Sequence, residues 1–465
     1  MVFSSSSFLF FFLPITLIIY YLVRKNRTAG NAVLAVMSLL FYAWGEPKFV
    51  LVMVASIILN WLIARAIDAA QKGRKLLLTA GIVLNVCILG VFKYTSFVIG
   101  NINSLFKTSI VDPKIALPIG ISFFTFQAMS YIIDVYRGKG KAQKHFLGVC
   151  LYISFFPQLI AGPIVRYETV AEEIAGRRET LDDFSEGARR FLVGLSKKAI
   201  LANALAALTD SIYALPAGDL TVALSWLSAC SYLMQVYYDF SGYSDMAIGL
   251  GRMFGFHFLE NFNLPFISKS VSEFWRRWHI SMCTWFRDYV FFPLGGSRVK
   301  TGRMLFNMFV VWFLTGLWHG AEWTFVLWGL GFFVLLAVEK VTGLGKWMEK
   351  HAVGHFYAMT LTVIVTVMIR CDNLTHARAM YASMFGFGGK ALTSGLTGVY
   401  LKEYAWCLIA GVVCSLPLWE WFKKKVRIGE KVSSVIEGVA LIAVSAVAVS
   451  FVVSGGYNPF IYFNF

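Results

Sequence analysis

His319 and Glu322 stand three residues apart in "FVVWFLTGLWHGAEWTFVLWGLGFF", inside a run from Met304 to Val338 that holds no Lys, Arg or Asp. An isolated charge in hydrocarbon is expensive, so these two groups must meet polar partners or stay neutral. A neutral imidazole keeps a lone pair able to take a proton, and apolar surroundings favour that form. The bland alternative is a satisfied core histidine. Ionisable groups within a membrane usually mark function, which raises the weight of the chemical reading. Glu322 either orients the imidazole or belongs to a structural pair one turn away. Gly316 and Gly320 flank the ring and are expected to leave room beside it.

Two further stretches mix charge with apolar residues. In "SVSEFWRRWHISMCTWFRDYVFFPLGG", read as one helix, Trp275, Trp278, Met282, Trp285 and Tyr289 form an aromatic stripe at spacings of three and four. Arg276, His279, Cys283 and Arg287 form a second stripe. Such a segment either anchors at the membrane surface or lines a cavity, where two arginines would suit a phosphate-bearing ligand. In "QVYYDFSGYSDMAIGLGRMFGF", Asp239 and Asp245 interrupt an apolar segment and require cationic partners, with Arg252 or Arg276 as the structural choice and a channel lining as the functional one. The remaining histidines, His145, His257, His351, His355 and His376, sit near charged or loop positions and carry no comparable signal. No HExxH or clustered Cys/His spacing appears, so no metal is expected.

These groups need membrane helices to hold them. Of the 465 residues, 58% are hydrophobic and only 15% charged, against about 25% charged in ordinary soluble chains. Apolar windows near the roughly 20 residues that cross a bilayer recur throughout and leave no space for a sizeable soluble domain. The expected architecture is an all-α, polytopic integral membrane protein, residues 1–465 forming a single domain of about 11–13 membrane helices, some short or re-entrant. Candidate spans are 5–23, 29–45, 49–66, 76–97, 116–135, 146–164, 188–213, 222–250, 304–318, 322–338, 355–370, 404–421 and 433–453. Segment 188–213 is read as lying along the interface before it dips in. Residues 304–338 are too many for one span, and two short or tilted helices are expected to meet near His319. Residues 172–190 read as a surface helix with Thr180, Asp182 or Asp183 as N-cap.

The formal charge of +16 would suggest nucleic acid in a soluble protein. Here the excess lies in short loops around residues 24–27, 65–75, 137–144 and 423–427, which indicates orientation rather than a nucleic-acid partner. The N-terminus lacks a basic leader and reads as a retained first span with its end outside. The loops near residues 70 and 140 are then cytoplasmic. Seven cysteines without a CxxC pair suggest no disulfide framework.

Together, "MVFSSSSFLFFFLP", "SFFTFQAMSYIIDVYRG", "FFPQLIAGPIVRY", "YYDFSGYSDMAIGLGRMFGF", "ENFNLPFISKSVSEFWRRWHISMCTWFRDYVFFPLGG" and "LTGLWHGAEWTFVLWG" resemble the membrane-bound O-acyltransferase family. The bacterial alginate and peptidoglycan O-acetyltransferase membrane subunits look nearest. The motifs run from residue 1 to about residue 330; none is recognised from 340 to 465. The resemblance implies a ring of helices around a thin centre with a tunnel. It makes His319 the catalytic histidine and His279 a second functional position. Arg276, Arg287, Asp239, Asp245, Asn263, Trp318 and Glu322 are the expected substrate-contacting residues.

The activity so implied is transfer of an acetyl group from a cytoplasmic thioester, acetyl-CoA, across the bacterial cytoplasmic membrane for O-acetylation of a cell-surface polysaccharide, with no bound cofactor. The implied partners are an extracytoplasmic SGNH-type acetyltransferase subunit, the polysaccharide acceptor and membrane lipid. Alternatives are D-alanyl transfer to teichoic acid, a proton-coupled transporter, which should show inverted repeats that the sequence lacks, and a non-catalytic scaffold.

Overall fold

The computed structural model describes residues 1–459, and all regular structure among them is helical. Eight helices there are long and apolar enough to cross a membrane, with Phe8–Val23 a shorter apolar helix beside them. The polytopic all-α expectation therefore holds. The chain forms two compact units, Met1–Phe191 with Ser244–Leu259, and Leu192–Tyr243 with Glu260–Phe465.

In the first unit the helix Ile121–Arg137 is buried at every position from Ile121 to Val135. A helix with no wet side must be enclosed by others, and Val50–Ala69 and Arg74–Leu89 pack on it. Phe3, Phe8, Phe41 and Phe156 interlock, with the Phe3 ring 4.9 Å from Phe8 and 6.3 Å from Phe156. Polar groups in this interior are matched to one another. Asn60 and Asn85 exchange amide hydrogen bonds of 3.1 and 2.7 Å between adjacent helices. Arg177 donates to Asn31 at 2.6 Å and to the Phe254 carbonyl at 2.9 Å. Thr180 caps the next helix through the Asp183 amide at 3.0 Å. Arg190 holds Asp245 with bonds of 3.1 and 2.9 Å.

In the second unit the helical run that began at Leu181 continues through a π-helical turn, Lys197–Ala202, to Tyr213. The run is one continuous helix of 33 residues, long and apolar enough to cross a membrane. Lys198 is buried, 2.8 Å from Asp239. Opposite charges brought together offset part of the desolvation that either would suffer alone. The expected span 404–421 is also shifted. The helix is Gly395–Cys414, and a separate amphipathic helix, Leu418–Val426, follows Pro417.

Residues 301–342 form two helices, Thr301–His319 and Trp323–Thr342, broken at Gly320–Glu322. The break falls where the sequence places it, but both helices are of full length. They pack backbone to backbone. A Cβ added at Gly316 would stand 2.6 Å from the Phe325 carbonyl oxygen, and one at Gly329 would stand 2.4 Å from that of Trp312. Small residues at such crossings let membrane helices approach closely. The glycines therefore seat the neighbouring helix rather than leaving space for a ligand, and Gly320 likewise abuts the Phe325 ring.

The stretch 271–291 is not one helix. Ser270 caps Val271–Arg277, accepting from the Glu273 amide at 2.9 Å. His279 then takes φ +45°, ψ 50°, and a new helix runs Ile280–Phe286. A left-handed residue cannot continue a right-handed helix, so the two expected stripes do not form a continuous face.

Gly329→Ala is expected to destabilise the purified protein by about 1–3 kcal/mol, because the crossing cannot open without moving backbone. Gly302→Ala, where an added Cβ meets nothing within 4 Å, serves as the neutral control. Thermal unfolding in detergent, followed by size-exclusion fluorescence, compares the two.

Candidate active site

His319 ends its helix with a buried imidazole whose Nδ1 lies 2.8 Å from the Thr315 carbonyl oxygen. A carbonyl only accepts, so Nδ1 carries the proton and Nε2 keeps the lone pair in the neutral ring. Trp318 and Trp328 enclose the ring, with centroids 4.9 and 4.7 Å away.

The second histidine is brought close by the break in the 271–286 segment. His279 is 1% exposed and its ring centre is 6.4 Å from that of His319. Its Nδ1 is 3.2 Å from Asn261 Oδ1, which also accepts from the Ser281 hydroxyl at 2.8 Å and the Ser281 amide at 3.2 Å. An amide oxygen is again an acceptor, so His279 also keeps its lone pair on Nε2. That nitrogen is buried without a hydrogen-bond partner. Phe240 packs edge-on against the ring at 4.6 Å. A non-glycine residue held in the left-handed region stores strain, and such residues cluster at working sites.

Two cavities lie in this region, and His319 lines one of them. One of about 470 Å³ is lined by Trp275, Arg276, Met282, Cys283, Arg287, Trp312 and Thr315 among others. The other, about 30 Å³, is lined by His319, Phe240, Trp275, Trp278, Trp328 and Phe332 among others. The tryptophan-rich segment is thus a cavity wall. Thr315 lines the larger cavity while its carbonyl holds His319, and Trp275 borders both.

The other expected residues divide. Arg276 and Arg287 reach the larger cavity, Arg276 pairing with Glu349 at 2.7 Å and Arg287 with Asp288 at 2.8 Å. Hydrogen bonds from Arg276 and Ser270 hold the Glu349 carboxyl below the usual carboxylate range even though partial burial works the other way. Asp239 and Asp245 form ion pairs with Lys198 and Arg190 rather than with Arg252 or Arg276. Glu322 is exposed and precedes the second helix, its carbonyl accepting from Phe325 and Val326 at 3.2 Å. Of the two roles open to it, the contact with the imidazole is made by the Thr315 carbonyl. Asn263 is exposed, its amide bonded to the Arg277 carbonyl at 2.9 Å. The asparagine that holds His279 is Asn261, a residue the motif reading missed. Only the backbone path decides which of two asparagines in "ENFN" turns inward.

A polytopic helical protein that presents two buried, hydrogen-bonded imidazoles 6.4 Å apart, one of them lining a cavity, has parts suited to proton transfer within a membrane. A family model described as the membrane-bound O-acyltransferase family matches residues 142–363, which contain both histidines. A protein of Azotobacter vinelandii named "Probable alginate O-acetylase AlgI" is 43% identical over 84% of this chain and 80% of its own length. A Pseudomonas putida protein of the same name is 38% identical over 100% of both chains. The "Peptidoglycan O-acetyltransferase" of Helicobacter pylori is 32% identical over 84% of this chain and 81% of its own length. The chain belongs to the membrane-bound O-acyltransferase family and is a multi-pass membrane enzyme that transfers acyl groups.

Asn261→Ala removes the acceptor shared by His279 and Ser281, leaving buried donors unmatched at a cost of about 1–3 kcal/mol. Reduced acyl transfer together with a lowered melting temperature is the expected result. Asn261→Asp, which keeps an acceptor oxygen in place, is expected to recover more of both than Ala does.

Proposed function

We propose that this enzyme takes an acetyl group from cytoplasmic acetyl-CoA and passes it outward, from the bacterial cytoplasmic membrane, for O-acetylation of a cell-surface polysaccharide of the alginate or peptidoglycan type. The observation that carries this reading is the Thr315–His319 hydrogen bond, which supports Nε2 as the base. The names of the relatives support the acetyl group and the polysaccharide. Basic loops near residues 70 and 140 support a cytoplasmic donor side. An extracytoplasmic SGNH-type acetyltransferase subunit is the proposed recipient.

A thioester carbonyl is already electrophilic, whereas a hydroxyl is a poor nucleophile until it loses its proton. As the hydroxyl oxygen attacks the carbonyl carbon, His319 Nε2 accepts that proton, an effect typically worth about 10²–10⁴-fold. The carbon–sulfur bond then breaks, and the imidazolium returns the proton to the departing thiolate. Thr315 keeps the ring oriented through both steps. His279 Nε2, buried without a hydrogen-bond partner, orients the attacking hydroxyl. Arg276 and Arg287, on the larger cavity, bind donor phosphate through guanidinium N–H groups beyond those that meet Glu349 and Asp288.

Transfer of D-alanine is the second reading. Relatives named "Teichoic acid D-alanyltransferase" from Bacillus subtilis and Streptococcus thermophilus match 54% and 46% of this chain, at 32% and 30% identity. The longer matches to the acetylating relatives favour acetyl.

His319→Gln keeps size and polarity but cannot take the proton. With the partner subunit supplied, the variant is expected to insert and fold like wild type yet lose transfer of labelled acetyl by at least about 10²-fold. Near wild-type transfer would remove the base assignment.

Arg276→Ala is expected to raise the Kd for acetyl-CoA while leaving the melting temperature nearly unchanged, because the side chain is 59% exposed and exposed ion pairs contribute only about 0–1 kcal/mol. Equal donor affinity in isothermal titration would take Arg276 out of the donor site.

A further inference from the structure

Glu339 is a carboxylate that the acyl-transfer steps above leave unused. It lies near the end of the helix Trp323–Thr342 and is 3% exposed. Both of its oxygens are taken by the start of another helix, Val271–Arg277. Oε1 accepts from the Val271 amide at 2.7 Å and Oε2 from the Ser272 amide at 2.8 Å. The Tyr357 hydroxyl donates to the same carboxyl group. The backbone passes so close to it that a Cβ added at Gly345 would stand 3.0 Å from Oε2. A carboxylate so enclosed is costly unless its donors stay in place, so these bonds fix the helix as much as the helix satisfies the charge.

The contacts beyond Glu339 follow the two helices in opposite directions. Four residues on from Val271, the Trp275 ring centre lies 5.0 Å from that of Phe332 and 5.9 Å from that of Trp328. Trp328 in turn is 4.7 Å from the His319 ring. The shorter helix therefore runs antiparallel to the longer one, from Glu339 toward the two histidines, and His279 stands two residues past its last position. Dispersion between rings depends little on direction. Two hydrogen bonds from adjacent backbone amides to one carboxylate do have direction, and they define a position along the axis.

We propose that Glu339 is a positioning residue for acyl transfer: by fixing how far Val271–Arg277 lies along the hairpin that carries His319, it sets the separation of the His279 and His319 rings, 6.4 Å between centres. The inference rests on the roles given above to His319 as base and to His279 as the group that orients the hydroxyl, and it deepens them. Glu339 itself touches no reacting atom. Its effect passes along the helix to His279, and a misplacement of about 1 Å can cost about 10²-fold in rate.

The full chain in lipid nanodiscs tests this, with acetyl-CoA as donor, water as the attacking hydroxyl and free-thiol release as readout. Rates are referred to the folded fraction measured by size-exclusion fluorescence. Glu339→Gln keeps the shape but sets an NH₂ group against a backbone N–H, and is expected to lower kcat at saturating donor by about 10²-fold. Glu339→Asp, which retains both acceptor oxygens, is expected to lower it less. In a His279→Ala background, adding Glu339→Gln is expected to lower kcat by no more than about two-fold further, whereas a merely structural carboxylate would act equally in both backgrounds. If Glu339→Gln gives no folded protein, Glu339→Asp takes its place in the same cycle. Equal factors in the two backgrounds, or wild-type kcat in the folded Glu339 variants, overturns the positioning role while leaving acetyl transfer standing. Wild-type kcat in His279→Ala overturns the role of His279 and the inference with it. A wild-type protein that releases no thiol from acetyl-CoA overturns the acetyl-transfer reading itself.

Discussion

The scarcity of water around a polar atom in the middle of this protein is the constraint on which the site depends. In a low-dielectric interior each donor must find an acceptor, and the acceptors nearest to hand are the carbonyls of the helices themselves. His319 uses the carbonyl of Thr315, one turn back on its own helix. That bond needs no second residue to be brought from elsewhere, and it decides which ring nitrogen remains basic. It also explains why Glu322, the charged neighbour in sequence, is free to stand outside at the start of the next helix. A carboxylate placed against His319 would favour the imidazolium, the form that cannot act as a base. A neutral carbonyl orients the ring with a much weaker pull in that direction.

His279 obtains the same result by a different route. Within a continuous helix its side chain would have followed the Arg276–Cys283–Arg287 stripe, most of which reaches the larger cavity. The left-handed turn at position 279 changes its direction and places it edge-on against Phe240, within 6.4 Å of the His319 ring centre. Asn261 stabilises this arrangement from a segment eighteen residues earlier, and Ser281 completes the set from the start of the next helix. Strain at one residue is therefore balanced by three hydrogen bonds to one oxygen.

How much of this was legible follows from the range of each interaction. The two helices of 301–342 and the break beside His319 could be read, because length and glycine placement are local properties. The unusual histidine could be read because an ionisable group stands out in an apolar run. The partners of Asp239 and Asp245 could not, because Lys198 and Arg190 come from another helix and nearer arginines looked equally suitable. Periodicity misjudged 271–291, since the stripe continues in register across a residue whose dihedrals have the opposite hand. It also misread Gly316, whose missing side chain signals either an empty space or a close neighbour, and only the Phe325 carbonyl 2.6 Å from a built Cβ decides between them.

The position of Trp275 joins these strands. Its ring contacts Trp312 at 4.7 Å and Phe332 at 5.0 Å, and it borders both the larger and the smaller cavity. In the proposed chemistry the donor's phosphates lie at Arg276 and Arg287, on the larger cavity. The proposed base stands at the edge of that cavity, since Thr315 lines it and the Thr315 carbonyl orients the His319 imidazole. The hairpin of 301–342 carries Thr315, His319 and Trp328 together, and its glycine crossing fixes their spacing with backbone rather than flexible side chains. The place of the His319 ring, and through Thr315 the nitrogen that holds its proton, thus follow from the same close approach of two helices.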